Sequence, residues 1–107
     1  MVNPWRGEAE LVIDGKAHKL RLTLGALAEL EATLKQDSLV ALIARFETGD
    51  YGTRDLIALL LAGLKGGGWT GSAQDLLSGD IEGGPMKAAQ VAAQMLARAF
   101  ALPEVEA

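Results

Sequence analysis

The 107-residue chain contains no cysteine and one histidine, His18. Without cysteine there can be no disulfide framework, thiolate nucleophile or cysteine-ligated metal site. One histidine cannot form a histidine-rich metal site, and no glycine-flanked nucleophile accompanies it in the sequence. The sequence therefore predicts no metal, no cofactor and no catalytic residue. It indicates a protein that acts by binding other proteins rather than an enzyme.

Basic residues and long hydrophobic runs are also scarce. Ten Lys and Arg stand against fourteen Asp and Glu, which gives a net charge of -4 at pH 7. Nucleic-acid binding depends on clustered basic residues, so no nucleic-acid partner is expected. The longest strongly apolar stretch, residues 56–64, is about half of the roughly 20 residues that a membrane span requires. Residues 1–7 lack the apolar segment of a secretory signal. We expect a cytoplasmic protein with no membrane partner.

Aromatic residues make up only 5% of a chain that is 50% hydrophobic. The core must therefore be built from aliphatic residues and methionine, which favours helices packed at short distance. The length predicts one domain over residues 1–107. Residues 1–5 and 103–107 are expected to be its flexible ends.

The first predicted element is a β-hairpin. Apolar residues alternate with others in residues 8–13, and the alternation resumes in residues 18–24 after Asp14-Gly15. Asp-Gly between two alternating segments is a hairpin signal, because the tight turn needs positive φ angles that these residues tolerate. The charged residues of the outward face are expected to form solvated cross-strand pairs, Glu8 and Glu10 with Lys19 and Arg21.

Helices are predicted for the rest of the chain. At Thr23 the apolar period changes from two to about 3.6, which indicates a helix of about three turns with Thr23 as its N-cap. A second helix begins near Ser38, with Asp37 or Ser38 as its cap, and ends at Gly49. The third, residues 53–64, is apolar nearly all round, so it should be central or part of an oligomer contact. The glycines at 66–68 are expected to end it.

Two further helices complete the predicted fold. Ser72 and Asp75 have the spacing of a capping box for a short helix in residues 72–77. Pro85 suits the first position of the last and longest helix, residues 86–102, which ends before Pro103. The sequence thus predicts an α+β fold, in which an N-terminal two-stranded β-hairpin is followed by a bundle of four to five α-helices.

Two features are candidates for partner binding. Trp69 follows the glycines, where a large aromatic either closes the edge of the core or anchors a partner. The last helix is rich in alanine and methionine, which permit close approach and adapt to irregular surfaces. One of its faces should pack on the domain while another remains for a partner, although ordinary core packing is the alternative. The predicted partner-binding residues are Trp69, Met86, Val91, Met95 and Phe100.

Several segments, in order, carry a family resemblance: Arg6-Gly7-Glu8, Leu22 to Glu31 (LTLGALAELE), Ala44-Arg45-Phe46, Ala62-Gly63-Leu64 with the following glycines, and Glu82-Gly83-Gly84. Over about residues 6–102 the chain resembles the small tail assembly chaperones encoded by gene transfer agents and related tailed phages. The family has no active-site residues.

The resemblance implies a non-enzymatic factor for tail morphogenesis. Such a factor holds the long tape measure protein soluble until tube subunits polymerise around it, so the expected partners are the tape measure protein and the tail tube protein. A homo-oligomer is also expected. The alternative is a minor structural component, a tail tube or connector protein that remains in the finished particle.

Overall fold

The computed structural model describes residues 8–34 and 39–100, with the side chains of residues 33, 34 and 100 excepted. The predicted flexible ends and the predicted caps Asp37 and Ser38 lie outside this part of the chain. The elements are β1 (Glu8–Ile13), β2 (Lys16–Arg21), α1 (Leu24–Leu34), α2 (Leu39–Thr48), α3 (Thr53–Gly66), α4 (Ala73–Ser78) and α5 (Gly84–Phe100). The predicted α+β fold, a hairpin followed by four to five helices, is confirmed.

The hairpin turns where the sequence predicts. Asp14 and Gly15 have φ angles of 53° and 80°, and Ile13 lies opposite Lys16 in the antiparallel register. The second strand ends at Arg21, earlier than predicted, because Thr23 already begins the next helix. Its Oγ1 accepts a hydrogen bond of 3.0 Å from the Ala26 N–H, which confirms the predicted N-cap.

The prediction of solvated charge pairs on the hairpin is wrong for Glu8. The register places Glu8 opposite Arg21 and Glu10 opposite Lys19, so the four residues share a face. Yet Glu8 is only 3% exposed, because α5 packs along β1 and Arg98 of α5 donates a 2.6 Å hydrogen bond to the Glu8 carbonyl. Its carboxylate lies 3.9 Å from the Lys19 ammonium.

Residues 80–82 cover part of the outer edge of β1. The Asp14 N–H donates to the carbonyl of residue 80 at 2.8 Å, and the N–H of residue 82 donates to the Val12 carbonyl at 3.0 Å. The Asp14 carboxylate also accepts a 2.9 Å bond from the N–H of residue 80. These contacts use backbone groups that an exposed strand edge would offer to another chain.

Helix α3 is the central helix, as predicted, and packs against β2, α1, α4 and α5. It passes through Gly66 before ending, and Gly67 and Gly68 form its C-terminal turn, where Gly68 has a φ of 103°. A Cβ atom would overlap the carbonyl oxygen of Arg21 if built on Gly66, and that of Lys19 if built on Gly67. The glycines thus end the helix and also allow its C-terminal turn to lie directly on the backbone of β2.

The remaining helix ends follow local signals. Gly49 has a φ of 77° after α2, and the Asp50 N–H returns to the Arg45 carbonyl at 2.8 Å. The predicted capping box of α4 is present, since the Ser72 N–H donates to the Asp75 carboxylate at 2.9 Å and the Asp75 N–H donates to Ser72 Oγ at 3.3 Å. Among the helices of residues 8–34 and 39–100, none has the length and apolar character needed to cross a membrane.

Candidate protein-binding surface

Helix α5 packs its broader apolar face onto the core. Its buried residues follow a helical stripe, with spacings of three and one: Ala88, Val91, Ala92, Met95 and Leu96. Val91 and Met95 are 1% and 0% exposed, so the structure places both in the core, and their role in partner binding stays a prediction. The physical reason is that α3 approaches closely at Gly63, and the Met95 thioether occupies the space where a Cβ of Gly63 would lie.

The opposite face of α5 is open to solvent. Met86 is 74% exposed near the N-terminal end of the helix, and Ala93 and Ala97 are exposed one turn apart in its second half. Phe100 is the last residue of the helix, and its side chain lies outside the described part of the structure. Of the predicted residues on α5, Met86 is therefore the one that the structure presents on the surface.

A groove runs between α2 and α5, hereafter the α2–α5 groove. It has a volume of about 300 Å³ and is lined by Ile43, Phe46, Glu47, Ala93, Leu96 and Ala97. The two exposed alanines form one wall because their small side chains leave room beside α5. Apart from the Glu47 carboxylate, the side chains of the lining are apolar. This is the chemistry of a groove that accepts the apolar face of a helix.

Sequence reasoning missed the α2–α5 groove as a unit. It recognised the apolar stripe of α2, of which Leu42 is buried while Ile43 and Phe46 are half-buried. It did not separate the two faces of α5, since alanine occurs on both. The available signal was the spacing of the larger residues Val91 and Met95, which share one stripe and leave Ala93 and Ala97 on the other side.

A second groove, the α3–α4–α5 groove, has a volume of about 370 Å³. Apolar side chains of three helices and of the segment over β1 line it, chiefly Leu56, Ile57, Leu60, Leu76, Leu77, Ile81 and Pro85. Leu77 is 57% exposed at its rim. Exposure of a large aliphatic side chain beside an apolar groove is typical of a contact surface.

Trp69 packs at the edge of the hairpin. Its ring lies edge-on to His18, with centroids 6.2 Å apart and planes at 69°, and it covers Gly71. A recess of about 270 Å³ lies beside the ring and is lined in part by Ala17, His18 and Lys19 of β2. The half-buried ring thus closes the edge of the fold, which is one of the two roles predicted for it. Its role as an anchor for a partner stays a prediction.

One ion pair joins α2 to α3. Arg45 Nε and a terminal nitrogen of its guanidinium donate to the two Asp55 carboxylate oxygens at 3.0 and 2.8 Å. The hydrogen bonds from Arg45 lower the pKa of Asp55 below its ordinary value and outweigh burial, which acts in the opposite direction. The Gly52 N–H, which donates to the same carboxylate at 3.1 Å, lowers this pKa further.

The comparison with known protein families gives a match over residues 6–102 to the family described as phage tail tube protein, GTA-gp10. The chain belongs to this family. Searches of curated proteins and of solved structures give no significant match. The predicted membership of a gene transfer agent and phage tail family is thus confirmed. The family's description names a tail tube protein, so the chaperone function stays a prediction.

The surfaces of this GTA-gp10 family member are suited to contacts with protein. In residues 8–34 and 39–100 no group of three or more His, Cys, Asp or Glu side chains could hold a metal ion. The two grooves combine apolar walls with single acidic residues, Glu47 in one and Asp80 in the other. Such a surface can bury a partner's apolar side chains and pair with a basic residue at the rim.

Proposed function

We propose that this GTA-gp10 family protein is a non-enzymatic structural component of a phage-like tail, as a tail tube or connector subunit. The observation that carries this proposal is the match to a tail tube protein family over nearly the whole chain. A role in binding tail proteins also agrees with the two apolar grooves and with the exposed side chains of Leu77 and Met86.

A tube component needs contacts that repeat around and along an axis. Such contacts are heterologous, because a different patch on each copy must meet the next copy for a ring or filament to form. The α2–α5 groove and the α3–α4–α5 groove are separate apolar patches on one chain, which is what repeated heterologous contacts require. We therefore propose that the protein works as a homo-oligomer or together with other tail subunits.

The second candidate is a tail assembly chaperone that binds the tape measure protein. It is supported by the resemblance in residues 22–31 and by the α2–α5 groove, whose walls suit the apolar face of a helix. A chaperone would use this groove transiently, whereas a tube component would bury it permanently in the particle.

Mass spectrometry of purified tail particles distinguishes the two candidates. A tube or connector subunit should appear at a fixed number of copies per particle, whereas a chaperone should be absent or strongly substoichiometric. A chaperone should also increase the soluble yield of co-expressed tape measure protein. A protein that is missing from particles and has no effect on that yield would contradict both candidates.

Paired variants of α5 test the surface. Ala97→Glu introduces a charge into the α2–α5 groove, while Gln94→Glu introduces the same charge at an exposed position that does not line it. We expect Ala97→Glu to abolish incorporation or tape measure rescue, and Gln94→Glu to retain it. Equal behaviour of the two folded variants would show that the groove is not the contact surface.

A further inference from the structure

Helix α2 is the wall of the α2–α5 groove that contributes fewer buried side chains to the described core. Among its residues Leu42 is buried, whereas Ile43 and Phe46 are half-buried, and its main packing partner is α5. By contrast, α5 and α3 both contribute several fully buried side chains to the core. If one wall of the groove moves, it is therefore α2.

The connection from α2 to α3 has the features of a hinge. Gly49 adopts the left-handed region with a φ of 77°, and Gly52 precedes the first residue of α3. Between them, the ring of Tyr51 stacks on that of Phe46, with centroids 4.3 Å apart and planes within 1° of parallel. A short segment with glycine at both ends can change its backbone angles at low cost.

The Arg45–Asp55 ion pair bridges the two helices on either side of this hinge. Its two hydrogen bonds join the last turn of α2 to the first turn of α3. The side chains of Arg45 and Asp55 are 23% and 19% exposed, so the ion pair is half-buried, and neither residue belongs to the hydrophobic core. The same carboxylate also caps α3, because it accepts a 3.1 Å hydrogen bond from the Gly52 N–H.

Movement about the hinge would change the size of the α2–α5 groove. A volume of about 300 Å³ accommodates a few side chains. A two-turn helix is roughly 10 Å across and roughly 11 Å long, so its full volume is nearly three times that of the groove. Outward movement of α2 would widen the groove, so that more of a partner helix could be buried between α2 and α5.

We propose that α2 is a hinged helix, held against α5 by the Arg45–Asp55 ion pair, and that it turns outward about Gly49–Gly52 to admit an amphipathic helix of a tail protein. The apolar lining selects the partner's apolar face, and Glu47 at the rim selects a basic residue beside it. This inference rests on the proposed function for its partner, but the hinge itself can be measured in the isolated protein.

Hydrogen exchange of the isolated chain tests the hinge. Arg45→Met removes the ion pair but leaves Asp55 to cap α3, and we expect the amides of α2 to exchange about fivefold faster while those of α5 stay unchanged. Arg45→Lys, which can restore a single charge contact, should give an intermediate rate. The control Asp75→Asn removes the equivalent capping carboxylate of α4, which bonds no arginine among the described residues, and should leave α2 unaffected. Unchanged exchange in α2, or equal acceleration in all helices, would overturn the proposal.

A cross-link tests whether the movement admits a partner. The chain has no cysteine, so Thr48→Cys on α2 with Arg54→Cys on α3 provides two unique thiols on either side of the hinge, at exposed positions that do not line the groove, for a short bismaleimide. We expect the doubly substituted protein to bind co-expressed tape measure protein before cross-linking and to lose that binding after it. Full binding after cross-linking would refute the movement. Hydrogen exchange that responds to Arg45→Met, with no tail protein bound by any variant, would retain the hinge and contradict the proposed function.

Discussion

Gly66→Ala should destabilise the protein, although alanine is ordinarily the better helix former. Gly66 is the last residue of α3, and an alanine there would gain up to about 1 kcal/mol of helix propensity. The added Cβ, however, would overlap the carbonyl oxygen of Arg21, which belongs to the backbone of β2. A backbone atom in a hydrogen-bonded hairpin cannot turn aside as a flexible side chain can. Overpacking costs about 1–3 kcal/mol, and the upper part of that range applies here.

The two effects oppose each other, and the overlap should prevail by about 2 kcal/mol. With a denaturant dependence of about 1–2 kcal/mol per M, the urea midpoint should fall by roughly 1–2 M. Gly25→Ala in α1 is the matched control. The nearest atom to a Cβ added at Gly25 is Thr23 Oγ1, at 3.9 Å, and the site is exposed. That change should stabilise by about 0.5 kcal/mol. If Gly66→Ala unfolds at the same or a higher urea concentration than the parent, the close contact between α3 and β2 is wrong.

Three further predictions concern other parts of the fold. Thr23→Ala should cost about 1 kcal/mol in urea unfolding through loss of the α1 cap, and a cost near zero would contradict the Oγ1 bond to the Ala26 N–H. Met95→Ala should cost about 2–5 kcal/mol, whereas Met86→Ala should change stability by less than about 0.5 kcal/mol; similar values would contradict the assignment of the two faces of α5. Folding lowers the pKa of Asp55. Its contribution to the free energy of unfolding is therefore fully present above its ordinary pKa, and is lost as the pH falls from that value through the lowered pKa of the folded state. Stability measured from about pH 5 to pH 3 should therefore fall less steeply in Asp55→Asn and in Arg45→Gln than in the parent, and equal slopes would refute the pKa shift.

The parts of the fold that sequence predicts well are set by neighbouring residues. The Asp14-Gly15 turn, the Thr23 cap and the Ser72–Asp75 capping box each form within four residues of chain. Their backbone angles and hydrogen bonds depend little on the rest of the molecule. The α+β order of the elements could therefore be predicted from local periodicity alone.

Long-range contacts account for what sequence could not predict. The bond between the Asp14 carboxylate and the N–H of Asp80 joins residues 66 positions apart, and nothing in either local segment indicates it. Arg98 likewise donates a hydrogen bond to the carbonyl of Glu8, 90 positions away. On α5 the stripe containing Val91 and Met95 was visible, but that it faces the core depends on distant residues such as Gly63, beside which the Met95 thioether lies.

The partly covered edges of the hairpin bear on how copies of the protein could assemble. Strand-to-strand addition needs free backbone groups, and on β1 those of Val12 and Asp14 already bond to residues 80–82. On β2 the carbonyls of Lys19 and Arg21 lie directly against the glycines at the end of α3, where no incoming strand fits. In the part of the chain that the structure describes, the large exposed hydrophobic side chains lie instead on helices, among them Leu77 and Met86. Association with tail proteins, in a tube or as a chaperone, should therefore proceed through helical surfaces rather than through extension of the sheet.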